Sequence, residues 1–126
     1  MTPFTTPLPP PLRHTLRLEG AAVAVAATLA YAHTGHSWLL FAGLLLTPDL
    51  FMAGYLRGPR VGARLYNIGH TYTTPLALAA AGWLSMTALP LSLSLIWVAH
   101  IGMDRAAGYG LKYPTGFRRS HLSSPD

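Results

Sequence analysis

His100-Ile101-Gly102-Met103-Asp104 puts an imidazole and a carboxylate four residues apart at the end of an apolar run. On a helix that spacing sets both on one face, a single turn apart. Histidine nitrogen and carboxylate oxygen are donors that suit zinc, iron and manganese. Two more acids, Glu19 and Asp49, also lie inside apolar runs, and so does a second histidine, His70. Three carboxylates brought to one place would repel one another unless a cation joined them. A divalent ion with an open position lowers the pKa of a bound water and polarises a carbonyl or phosphoryl oxygen. Asp49, His70, His100 and Asp104 are the expected ligands. Glu19 is read as a further ligand or as the base that handles a water proton, and Asn67, Tyr66 or Thr74 as groups that orient substrate.

A plainer account stands beside this one. A His-x-x-x-Asp pair is a weak signal by itself. Glu19, Asp49 and Asp104 could instead pair with Arg17, Arg57, Arg64 or Arg105. Asp49 follows Pro48 and could serve backbone groups that the proline leaves free. His14, His33, His36 and His121 lie near ends or turns, where solvation is the expected state. Trp38, Tyr55, Trp97, Tyr109 and Tyr113 are read as interface anchors or packing.

The elements that must carry these groups follow from composition. The chain has 126 residues, enough for one domain. Hydrophobic residues make up 51% and charged ones 10%, which is too little charge for a wet surface. There is no cysteine, hence no disulfide, no thiolate site and no thiol nucleophile. The net charge of +5 is interleaved with apolar runs rather than gathered on one face, which argues against nucleic acid as a partner.

Residues 1–12 hold five prolines and read as a loose, non-helical tail. Apolar runs follow at about residues 16–33, 38–56, 63–88 and 89–107. Each is long enough for a hydrocarbon core about 30 Å thick. The prediction is an all-α, polytopic membrane protein: four transmembrane helices in an up-down bundle over residues 13–110, with a basic tail at 111–126. In the first run Ala22, Ala26 and Ala30 recur every four residues near the face of Glu19. Small residues at that spacing favour close helix approach, so this face is expected to look into the bundle. Thr34-Gly35-His36-Ser37 is a turn, and Arg57-Gly58-Pro59-Arg60-Val61-Gly62-Ala63-Arg64 a basic loop.

Basic residues precede the first run, separate the second from the third, and follow the fourth as Lys112, Arg118 and Arg119. The other two connections carry none. The positive-inside rule therefore puts both termini and the arginine loop in the cytoplasm of a multi-pass inner (plasma) membrane protein. At about 1.5 Å per residue, Glu19, Asp49, Asn67, His70, His100 and Asp104 fall in one slab roughly 5 to 12 Å below the cytoplasmic surface.

Several stretches carry a resemblance. The Glu-Gly start of the first run, Thr47-Pro48-Asp49-Leu50, Gly54-Tyr55, Gly58-Pro59-Arg60, Tyr66-Asn67 with His70-Thr71-Tyr72, and His100 through Arg105 with Gly108-Tyr109-Gly110-Leu111-Lys112-Tyr113 resemble a family of small bacterial membrane proteins known as domain of unknown function 4260. The likeness runs from about Arg13 to Leu122 and implies no particular activity. More distantly, the Pro-Asp, His-Thr and His-x-x-x-Asp succession is similar to inner-membrane metal-dependent hydrolases and, more remotely, to zinc-dependent phospholipase C. That likeness implies Asp49, His70, His100 and Asp104 as metal ligands. The chain departs from the hydrolase pattern in having no histidine just after Asp49 and no His-Arg pair before His70.

The expectation is a membrane-embedded hydrolase using a divalent metal, zinc first and iron or manganese as alternatives. Its substrate would be a membrane lipid, an anionic headgroup or another phosphoester at the cytoplasmic leaflet. The alternatives are an ion- or proton-binding transport module, a bis-histidine haem protein using His70 and His100, and a structural membrane partner without catalysis. Alternating access would need a second polar half, which a homo-oligomer could supply.

Overall fold

The structure is a computed structural model that describes residues 8–112 and 120–122. Tyr113, Arg118, Arg119 and the first seven residues lie outside the described residues. Every named element is helical: α1 (Pro10–Ala32), α2 (Trp38–Leu44), a 3₁₀ helix (Thr47–Arg57), α3 (Pro59–His70), α4 (Thr73–Leu84) and α5 (Leu89–Ala107). An isolated antiparallel bridge joins Lys112 to Ser120. The four apolar runs fold as α1, as α2 with the 3₁₀ helix, as α3 with α4, and as α5.

The proline run does not stay out of the helix as expected. Pro10 and Pro11 form the first turn of α1. An N-terminal turn has no use for the missing N–H, and the fixed φ of proline suits it.

Two runs expected to be continuous are broken, each near a proline. In the second, the chain leaves α2 and tightens into a 3₁₀ helix that starts at Thr47-Pro48. The Thr47 hydroxyl donates to the Leu44 carbonyl at 2.6 Å, serving a group the break exposes. Seven α-helical residues at about 1.5 Å and eleven 3₁₀ residues at about 2.0 Å still give roughly 30 Å of rise. Trp38–Arg57 is the one segment among the described residues that is by itself long and apolar enough to cross a membrane. In the third run, Thr71 turns extended between α3 and α4. Pro75 has no N–H for the Thr71 carbonyl, so a straight helix would orphan it. The Thr74 hydroxyl donates instead to Ile68 across the break, at 2.5 Å.

The main helix pair is α1 with α5; the next is the 3₁₀ helix with α3, and α4 lies against α5. Gly102 makes the first pair possible: a Cβ there would stand 2.7 Å from the Ala24 nitrogen and the Gly20 oxygen. The packed face of α1 is thus Gly20, Ala24, Ala27 and Tyr31. Ala22, Ala26, Ala30 and Glu19 are exposed. This corrects the expected orientation of α1, since glycines allow a closer backbone approach than the alanine stripe would. In the second pair, the ring of Phe51 fills the place of a side chain at Gly69.

Several polar side chains are buried and several large apolar ones are exposed. Ser92, Ser94, His70 and His100 are buried, whereas Trp83, Leu56 and Met86 are 84%, 92% and 93% exposed.

Candidate metal centre

Asp49 comes from the first turn of the 3₁₀ helix, His70 is the last residue of α3, and His100 and Asp104 are one turn apart on α5. The structure brings these four together, with one ligand atom from each within 4.8 Å of the others. His70 Nε2 lies 3.1 Å from Asp49 Oδ1 and 3.3 Å from Asp104 Oδ2. His100 Nε2 lies 3.1 Å from each of the same two oxygens. The two Nε2 atoms are themselves 3.1 Å apart. Both imidazoles are nearly sealed, at 3% exposure, while the Asp49 and Asp104 side chains are 39% and 24% exposed. The cluster is therefore closed on its imidazole side and open on its carboxylate side.

Backbone contacts fix the imidazoles. His70 Nδ1 is 2.9 Å from the Tyr66 carbonyl, which can only accept, so the proton of neutral His70 sits on Nδ1. Its Nε2 then presents a bare lone pair. The ring also stacks on Tyr66, with centroids 3.8 Å apart and planes 5° from parallel. The His100 ring, whose Nε2 is in the cluster, hydrogen-bonds the backbone of Leu45. A second ring nitrogen tied to a carbonyl is the usual support of a metal-binding histidine.

The last carbonyls of α3 have no partner within the helix. Trp97 Nε1 donates to Gly69 O at 2.6 Å, and Arg105 Nη2 to His70 O at 2.9 Å. These bonds lock the His70 backbone to the helix that carries His100 and Asp104. Sequence reasoning missed both roles. Trp97, three residues before His100 and seven before Asp104, shares their helix face, and that spacing was the available signal. Arg105 was read as an ion-pair candidate, and it serves a carbonyl instead. Among the described residues, Asp49 and Asp104 pair with histidines rather than with arginines.

Glu19 and Asn67 are not brought into this group. Glu19 is exposed and lines a separate cavity with Tyr72, Arg105 and His121. The Asn67 amide donates to the Lys112 carbonyl at 2.9 Å and accepts from the Lys112 N–H at 2.6 Å. The segment after α5 is thereby folded back over α3. The Lys112 ammonium lies 4.9 Å from the centre of the Tyr66 ring. Burial pushes this ammonium below the usual lysine range, and the Asp104 charge opposes the shift. His121 Nδ1 accepts from the Leu111 N–H at 3.0 Å. Burial, with the Arg105 charge, pushes His121 below the usual histidine range.

No curated protein and no solved structure matches the chain. The model of one family, described as Domain of unknown function (DUF4260), matches residues 13–124. The chain belongs to that family.

Proposed function

We propose that Asp49, His70, His100 and Asp104 bind a divalent metal, and that the protein is a four-span membrane hydrolase acting on a lipid or phosphoester at the cytoplasmic leaflet. The observation that carries the metal is the convergence of lone pairs. With both imidazoles bonded to backbone through their other nitrogen, neutral histidines and ionised aspartates offer only acceptors to one another. Protonating both rings would set two N–H groups head to head across 3.1 Å. One cation satisfies all four atoms together. A tetrahedron with metal–ligand bonds of about 2.0–2.1 Å has edges of about 3.3 Å. Five of the six separations run from 3.1 to 3.3 Å, and the set, with the two aspartate oxygens included, lies within 4.8 Å. Two nitrogens and two oxygens suit zinc first, then iron or manganese.

The metal would supply Lewis acidity and an activated water. The residues around it would do the rest. The open carboxylate flank would admit the substrate oxygen, and the imidazoles would stay fixed by Tyr66 and Leu45. The membrane reading is supported by the apolar segment Trp38–Arg57 and by large side chains left outside while serines are inside. The placement of basic residues supports cytoplasmic termini and a multi-pass inner-membrane location.

A second reading rests on ligand count. Four protein ligands fill a tetrahedron, the arrangement of a structural rather than a catalytic zinc site. Metal analysis of detergent-purified protein decides first whether the ion is there. We expect stoichiometric metal in the wild type and its loss in His100→Ala and Asp104→Ala. Metal-free wild type would overturn the site. Turnover on phospholipid vesicles and soluble phosphoesters then separates the two readings: a metal-loaded protein that hydrolyses neither class is a binding protein.

A further inference from the structure

Apart from the four clustered residues, a second set of charged and polar side chains meets at a cavity that the metal centre does not use. A cavity of about 260 Å³ is lined by Glu19, Tyr72, Arg105 and His121, with apolar walls that include Leu16 and Val23. Arg105 is only 9% exposed. Its Nη2 serves His70, and its guanidinium also hydrogen-bonds the Tyr72 hydroxyl. Its Nη1 is buried and has no hydrogen-bond partner among the described residues. An unpaired donor on a buried cation is costly to keep, and because Arg105 also lines the cavity, a small shift of its side chain would let a ligand there remove that cost.

We propose that this cavity binds a phosphate ester bearing a protonated amine, the chemistry of a phosphoethanolamine headgroup. The phosphate meets Arg105 and Tyr72, because guanidinium pairs with phosphate through charge-assisted, often bidentate, hydrogen bonds. The amine meets Glu19. A simple anion would be repelled by Glu19, and a simple cation by Arg105; a group carrying both charges suits the two together. At about 30 Å³ for each water-sized group, the volume holds a headgroup and not a whole lipid. The acyl chains of a lipid would leave past Leu16 and Val23 along α1. This assignment does not depend on the metal centre.

Calorimetric titration of the detergent-purified full chain tests it with four probes: dihexanoylphosphatidylethanolamine, dihexanoylphosphatidylglycerol, free phosphoethanolamine and inorganic phosphate. The amine-bearing esters should bind about tenfold more tightly than the other two, the effect of one charge-assisted bond. Glu19→Gln, at an exposed position, should erase that preference while keeping the wild-type metal content. Tyr72→Phe should weaken all four probes several-fold. Preference for the acylated amine identifies a lipid headgroup, and equal binding of free phosphoethanolamine identifies a soluble ester; both support the site. Wild-type protein that does not discriminate, Glu19→Gln protein that still does, or loss of metal in Glu19→Gln would each overturn it.

Discussion

At the scale of single residues, the centre depends on how tightly His70 and the chain after α5 are held. Asn67 makes two hydrogen bonds to the backbone of Lys112. Asn67→Ala should cost about 1–3 kcal/mol locally, from two lost bonds at about 0.5–1.5 kcal/mol each. Hydrogen exchange at Leu111 and Lys112 should rise while metal content stays at the wild-type level. Loss of metal in this variant would show that Asn67 acts on the centre. His121 gives the same segment a pH dependence. Its pKa is depressed in the fold, so its share of stability is present above the ordinary histidine value of about 6.5 and is lost as pH falls below it. Proteolysis near His121 should therefore accelerate from pH 7.5 to pH 5, and His121→Asn should flatten that profile. The sequence disclosed the four clustered residues through their common depth along the helices. It misplaced Glu19 because residue count gives height along a helix and not its rotation. Asn67 sits at the same height, but a backbone it meets only after folding takes up its amide.

At the scale of elements, close approach of backbones governs the fold. Gly102→Ala would push a methyl group into the backbone of α1 at Gly20 and Ala24. Overpacking of this kind costs about 1–3 kcal/mol. Ala26→Leu, on the exposed face of α1, should change stability by less than about 0.5 kcal/mol. Thermal unfolding in one detergent compares the two, and an equal loss in both would mean that the stripe at Ala22, Ala26 and Ala30 is packed after all. The existence of the apolar runs was legible in composition. Their interruptions were not, because hydropathy measures apolar length and is blind to a missing N–H. Pro48 and Pro75 were the visible signals, and the threonines beside them supply the replacement hydrogen bonds.

At the scale of the whole molecule, the proposed four-span topology is open to direct measurement. A lack of native cysteine makes this directly measurable, since every introduced thiol is the sole one. Arg60→Cys, in the first turn of α3, should react with a membrane-impermeant maleimide only after the cells are opened. His33→Cys, in the turn after α1, should react in intact cells. The reverse pattern would invert the topology, and equal labelling of both would argue against a single crossing by Trp38–Arg57 between them.

The four candidate ligands divide two and two along the chain. Asp49 and His70 belong to the 3₁₀ helix and α3, which form their own pair, whereas His100 and Asp104 belong to α5, which pairs with α1. During synthesis the first two therefore leave the ribosome well before the last two. A nascent chain that ends ahead of α5 owns half a coordination shell and none of the Trp97 and Arg105 bonds that seat His70. Ion capture would then be the closing event of assembly, and a loaded centre would serve the cell as a seal that the last helix has docked.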